Sequence, residues 1–312
     1  MTRPTAAPAV SWLAYLCLAA SMALVGSYVG LSKLLVLVFP IFLLAWLRFG
    51  IAALAMAGWV KRAASDAPLN AHERRLLFLE SFFGNFLFSI CMLYGVSMST
   101  ALAAGVIMAG LPAAVAVLSR VVLKERIATR VMLGIGCAVA GIALVSLTKS
   151  AAATAHESSL LGNLLLLGAL LCEASYVVIG KKLSANVSAK RISALINLWG
   201  LALVTPFGVW QALHFEFGGV AAGVWWLLLF YAIAASVVTV WLWMTGLRHV
   251  PAAKAGVFTV LLPVSAAAVG VLFLGERFSA AQAAAFALAL AGVVLATWPG
   301  RTNGARALAG ST

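Results

Sequence analysis

Ser236, Thr239 and Trp243 stand at i, i+3 and i+7, a spacing that puts two hydroxyls and an indole on one face of a helix. Such a face can hydrogen-bond the polar end of a small molecule and stack on an apolar end. The competing reading is that Trp243 anchors a membrane interface while the hydroxyls bond back to carbonyls of their own helix; Trp241 points elsewhere. Ser81, Asn85 and Ser89 form a second stripe, one helical turn apart, which either lines a cavity or ties its helix to a neighbour. Ser21 and Tyr28 share a third face, and both Tyr28 and Tyr176 suit either a cavity wall or an interfacial belt. Tyr94 and Met108 would add a soft apolar wall or serve as ordinary packing.

Arg48, Glu80 and Glu173 are ionisable groups set in apolar sequence. In hydrocarbon such groups are costly unless paired or facing water. They are expected either to form an Arg48–Glu ion pair that fixes helix register or to supply a proton-linked carboxylate. Enzyme chemistry finds no support in the residue pattern. HExxH, P-loop and GxSxG motifs are absent, the single aspartate is Asp66, and His72, His156, His214 and His249 share no motif spacing. Cys17, Cys91, Cys137 and Cys172 all lie in apolar runs without ligand-like spacing and read as reduced packing residues. No catalytic site, metal or cofactor is expected.

The elements that must position these residues are membrane helices. The chain is 64% hydrophobic and 9% charged, with a mean hydropathy of +1.09, whereas a soluble domain carries about 25% charged residues. Runs of about 20 apolar residues, enough to cross ~30 Å of hydrocarbon as helix, follow one another with short breaks. They lie near 11–31, 39–60, 76–96, 100–123, 129–148, 160–180, 191–212, 221–246, 252–274 and 279–298. Unbroken stretches such as 160–171 and 280–296 lack the alternation of a β-barrel. The first segment is long enough to span and has no small-residue cleavage site, so it is expected to remain in the mature protein.

The formal charge of +13 follows from loop composition. With ten spans, sixteen Lys and Arg residues fall in one set of loops and termini, while the other set holds Lys33, Lys149 and Arg277. That bias predicts both termini in the cytoplasm and contact with anionic membrane lipid. No basic segment is long or interleaved with aromatics, so nucleic acid is not an expected partner.

Residues 95–147 and 246–298 align with each other without a gap. Gly105, Pro112, Glu125, Arg126 and Gly141 fall on Gly256, Pro263, Glu276, Arg277 and Gly292, and upstream Ser27-Tyr28-Val29 and Lys33 fall on Ser175-Tyr176-Val177 and Lys181. Each unit holds an odd number of spans, so the second enters the membrane from the opposite side. The units divide as residues 1–148, a connection at 149–159, residues 160–298 and a tail at 299–312. Pro112 and Pro263 lie mid-span, two turns after Gly105 and Gly256, and serve either as hinges or as static kinks. Glu125 and Glu276 end spans 4 and 9 at opposite surfaces and are expected to cap or to pair locally with Arg126 and Arg277.

The stretch from Gly95 to Val106, with Leu111-Pro112, Leu123-Lys124-Glu125-Arg126, Gly134 and Ala140-Gly141, resembles an EamA module of the drug/metabolite transporter superfamily. Residues 246–253, Pro263, Leu274-Gly275-Glu276-Arg277 and Ala291-Gly292 repeat the pattern, and Trp46-Leu47-Arg48-Phe49 extends it into span 2. The resemblance implies an all-α membrane protein of ten helices in a five-plus-five inverted repeat, with a central cavity lined mainly by spans 1, 3, 4, 6, 8 and 9. It also implies a bacterial inner-membrane exporter of small amphipathic metabolites working by alternating access. Aromatic content and length resemble the YddG-type aromatic amino-acid exporters, which makes aromatic and large apolar amino acids the first expectation. Drug, nucleotide-sugar or other metabolite carriage is the alternative, and a non-transporting structural or flippase-like partner is the rival from another class. The oligomeric state is not legible in these motifs.

Overall fold

The computed structural model describes residues 12–61, 68–98, 107–150, 159–265, 268 and 280–298, and every regular element among them is helical. Ten rods follow in order: α1 Trp12–Val36, α2 Ile41–Ala55, α3 Ala71–Ser97, α4 Leu111–Val122, α5 Thr129–Ser150, α6 Leu160–Leu183, α7 Ala189–Ala212, α8 Ala222–His249, α9 from Ala252 through 265, and α10 Ala280–Thr297. Four stretches, Ala71–Met92, Leu160–Leu183, Ala189–Ala212 and Ala222–His249, are each long and apolar enough to cross a membrane. Large apolar side chains cover the outside of the bundle, among them Leu37, Leu54, Val121, Leu160 and Leu213, a surface suited to lipid rather than water. Exposed Trp12 and Trp298 mark one end of the bundle and exposed Trp210 and Trp226 the other, as interfacial indoles do. The end that carries Lys61, Arg74, Arg75, Lys182 and Arg248 is called the basic end below.

Helix pairing follows the sequence repeat. Units α1–α5 and α6–α10 correspond, and α2 packs on α7, α4 on α9 and α5 on α10, each helix on its own counterpart. The mixed pairs come in twos: α1 lies along α8, and α6 along α3. Only a two-fold relation between the halves produces that pattern, and with five helices in each half it is an inverted one. Individual contacts repeat as well. Gly95 of α3 sits on the Leu166 side chain of α6, and its counterpart Gly246 of α8 sits on Leu18 of α1.

Small residues set how closely these helices approach. Apolar side chains gain little from meeting each other in lipid, so association depends on packing and on backbone proximity. Along the α5–α10 seam a Cβ on Gly134 would stand 2.7 Å from the Gly292 carbonyl oxygen, and one on Gly292 only 2.5 Å from that of Gly134. Gly141 lies equally close to Ala285 and Ala289. The α2–α7 seam adds polar ties instead: the Leu43 N–H donates to Gln211 Oε1 at 2.8 Å, Trp46 Nε1 to Thr205 Oγ1 at 3.2 Å, and Asn197 Nδ2 to the Phe49 carbonyl at 3.0 Å.

Two irregularities also obey the repeat. In α3 the segment Phe82–Leu87 is π-helical, and in α8 so is Ile233–Val238. The Phe88 N–H donates to the Phe83 oxygen and the Thr239 N–H to the Ala234 oxygen, i→i−5 bonds at equivalent positions of the two units. Each bulge inserts one residue into its helix. Helices α4 and α9 tighten at matching points too, through Gly110 N–H donating to Ile107 O at 3.0 Å and through a 3₁₀ turn at Phe258–Val260. Pro112 follows the first break and Pro263 the second.

Replacing Gly292 by Val forces side-chain atoms into the Gly134 carbonyl. A loss of about 1–3 kcal/mol is expected from such overpacking, seen as a lowered Tm of the purified protein, while Gly136→Val, at a glycine with open space around it, leaves Tm unchanged.

Candidate functional site

The α8 stripe lies where α8 meets α1. Ser21 Oγ donates to the Thr239 carbonyl at 2.9 Å, and Gly246 packs on Leu18, which fixes the face of α8 turned to α1. Ser236, Thr239 and Trp243 are 3%, 5% and 3% exposed, and Ser236 Oγ, Thr239 Oγ1 and Trp243 Nε1 all lack a hydrogen-bond partner among the described residues. Elsewhere, hydroxyls in these helices bond back one turn. Ser89 donates to the Asn85 carbonyl, Ser175 to Leu171, Thr205 to Leu201, Thr245 to Trp241 and Thr297 to Val293. Neither competing reading of the stripe therefore describes its geometry: the hydroxyls do not bond to their own helix, and Trp243 is buried rather than interfacial. Trp241 does turn elsewhere, its ring 6.3 Å from that of Trp59. Ser236 lies within the π segment of α8, where the displaced ladder changes which carbonyls a side chain can reach.

The span-3 stripe is used differently. Ser81 Oγ is buried and donates to the Ile196 carbonyl of α7 at 2.8 Å, Asn85 Nδ2 donates to Ser81 Oγ at 3.2 Å, and Ser89 closes on the Asn85 carbonyl. Interhelical bonding thus takes up Ser81, while Asn85, half-buried, stands in the α3 π segment at the position equivalent to Ser236. The Tyr176 side chain of α6 packs against that same segment, because Gly84 leaves no side chain there and any Cβ would overlap the ring. The Tyr28 side chain and all of Gly105 lie outside the described residues. Tyr94 is 54% exposed on α3, and Met108 packs partly buried against the main core cluster. Gly256 brings α9 onto Val115 of α4, so its smallness serves close approach.

The ion pair expected of Arg48 is not formed with Glu80. Arg48 stacks its guanidinium over the Phe49 ring at 4.3 Å and near that of Tyr231 at 5.9 Å, which satisfies a cation on a helix rich in aromatics. Both Glu80 oxygens are buried without a partner. Glu173 lies half-buried on α6.

One constellation escaped the residue-by-residue reading. Glu125 was expected to cap or pair beside Arg126; it does cap, but on another helix. Lys124, with a left-handed φ of 55°, ends α4 and turns the chain, and the Glu125 carboxylate accepts the N–H groups of Ala252 at 3.0 Å and Ala253 at 3.3 Å. Lys181 of α6 donates to the carbonyls of Leu247 at 2.9 Å and Arg248 at 3.1 Å. An anion thus sits at the start of α9 and a cation at the end of α8, each opposite the helix-dipole end that favours it, and together they clamp the α8–α9 turn. The repeat carried the signal: Glu125 and Lys181 have counterparts in Glu276 and Lys33, whose side chains lie outside the described residues.

The EamA-like transporter family matches residues 12–147 and, a second time, residues 160–298. The chain belongs to the EamA-like transporter family. It is similar to the uncharacterized transporter YetK of Bacillus subtilis (strain 168), 34% identical over 281 residues that cover 90% of this chain and 85% of the relative. It is also similar to the uncharacterized transporter YyaM of the same organism, 26% identical over 227 residues, 70% of this chain and 72% of the relative. A solved crystal structure superposes with a TM-score of 0.75 over 93% of this chain and 97% of the other, and at 17% identity it speaks to the fold alone. An EamA-like chain of this architecture is a multi-pass membrane transporter.

Removing the clamp's anion leaves two helix-start N–H groups unpaired. Glu125→Ala is expected to lower stability by about 1–3 kcal/mol, measured by thermal unfolding in detergent, with Glu125→Gln losing less because an amide oxygen still accepts.

Proposed function

We propose that this protein exports small amphipathic metabolites across the bacterial inner membrane, with aromatic and other large apolar amino acids as its substrates. Its two inverted units, residues 1–148 and 160–298, rock about the seam between α1, α3, α6 and α8, and both termini lie in the cytoplasm, where the basic end would face.

The observation that carries this reading is the set of unpartnered polar atoms on α8. Leaving a buried hydroxyl or N–H without a partner costs about 1–3 kcal/mol each. Three within two turns of one helix is a penalty that a folding role alone does not explain. Two hydroxyls and an indole N–H converging on one strip suit the carboxylate of an amino acid, which accepts several hydrogen bonds. Tyr176 of α6, packed against Gly84, and Asn85, whose amide donates to Ser81, stand at the corresponding place around α3 and would contact the rest of the substrate. The paired bulges support this placement, since π-bulges inside α-helices are frequent at functional sites.

The test separates function from stability. Ser236→Ala and Thr239→Val remove unpartnered groups, so Tm is expected to hold or rise, while transport falls. Counterflow of labelled phenylalanine, tryptophan, leucine and threonine into proteoliposomes is expected for the native chain and reduced about tenfold in either variant, the equivalent of one hydrogen bond of ~1.4 kcal/mol. Full transport by both variants would remove the α8 stripe from the site. Carriage of other metabolites but none of these amino acids would overturn the substrate assignment, and well-folded protein that carries nothing would favour the structural-partner reading.

A further inference from the structure

Glu80 is 0% exposed and both of its carboxyl oxygens lack a hydrogen-bond partner. It stands on α3 at the basic end, where α3, α6 and α8 close together. Oε1 occupies the space above Gly180 of α6, 2.6 Å from where a Cβ would be, and Met244 Cε and Leu247 Cδ2 of α8 cover the same glycine. Any larger residue at position 180 would displace the carboxyl group or open the junction.

None of the charged groups on the surrounding elements hydrogen-bonds the Glu80 carboxyl group. On α6, Lys181 donates to the Leu247 and Arg248 carbonyls, and Glu173 is another acid. Glu73, on α3 itself, forms the capping box with Asn70 and accepts from Asn186 Nδ2 at 3.3 Å. Arg191 of α7 and Arg248 of α8 make no hydrogen bond to the Glu80 oxygens. The neighbours packed with Oε1 over Gly180 are carbon atoms, not the ring of oxygens a metal ion needs. An ionised carboxylate sealed in such surroundings is far costlier than the neutral acid, and water at an open end would relieve that cost.

We propose that Glu80 is a proton-binding latch: the basic end closes over α3, α6 and α8 only with a proton on this carboxyl group, and it opens by returning that proton to water on the same side. Before closure the carboxylate takes a proton from hydronium at the basic end; on opening the acid gives it back. Charge and atoms balance on one side of the membrane, so the latch moves no net proton across. It makes closure depend on the pH of the basic-end compartment alone. The latch presupposes the rocking halves of the transport reading, but its test needs no substrate.

Spin labels at Arg75→Cys and Arg248→Cys, exposed positions near the basic ends of α3 and α8, would report closure in nanodiscs by double electron–electron resonance. The background would lack the four native cysteines. The short-distance population is expected to fall progressively as pH rises with native Glu80, and to persist at every pH in Glu80→Gln, which keeps the shape without the charge. A native distribution that ignores pH, or a Gln variant that follows the native protein, overturns the proposal. Infrared spectra give a readout independent of motion: the closed native protein should show a protonated-carboxyl band at neutral pH that both Glu80→Gln and Glu80→Leu lose, and identical spectra sink the assignment. If the variants do not fold, the native pH series decides alone. Counterflow failing while the labels respond would condemn the transport reading and leave the latch standing.

Discussion

Inside hydrocarbon a polar group has only its own helix or a neighbouring one to bond with, and that constraint shapes nearly every polar side chain described above. Most comply at once. Serines and threonines along the rods return to the carbonyl one turn back; Ser21, Ser81, Asn197 and Gln211 reach across to adjacent helices and tie them together. Against that background, Ser236, Thr239, Trp243 and Glu80 stand apart because the same rule fails for them. They gather on α8 and on the part of α3 that faces it across Gly180, whereas the α5–α10 seam farther out is closed by small residues. Among the described residues the α2–α7 seam also leaves one such atom, Asn197 Oδ1, on a side chain whose amide nitrogen bonds the Phe49 carbonyl.

Much of the architecture is legible in the amino-acid sequence. Apolar run lengths marked where the described helices lie, since about 20 residues of hydrocarbon-soluble helix is a requirement that composition cannot hide. The five-plus-five repeat was readable because Gly, Pro and Glu at fixed intervals survive in both units. The identity of the helix partners followed less directly, for which helix lies on which depends on the two-fold relation rather than on any one segment's pattern.

The site was legible only in part, for physical reasons that differ from residue to residue. The i, i+3, i+7 spacing found the face of α8, but whether its hydroxyls bond back depends on the local ladder, and a π segment has no composition of its own to announce it. Ser81 and Asn85 look alike in the sequence as polar residues in an apolar run; the approach of the Ile196 carbonyl from α7 is what commits Ser81 to packing. Arg48 was expected to seek a carboxylate and instead lies over Phe49, its immediate neighbour in the chain, because stacking on an adjacent ring needs no second helix to arrive in register. Glu125 acts on α9, whose start lies well over a hundred residues along the chain, and only the fold brings the two together.

The paired π segments reach back to the origin of the chain. A π bulge marks one residue inserted into a helix, and Phe82–Leu87 and Ile233–Val238 carry that insertion at the same place in both units. A single insertion in an ancestral half-length chain accounts for both, with the bulge already present when the gene doubled. The ancestor would then have met its own copy in the membrane, two identical subunits in opposite orientations, each offering one distorted helix to the shared interface. Fusion made the two copies free to diverge, and the one bulge now presents an amide at Asn85 and the other a hydroxyl at Ser236.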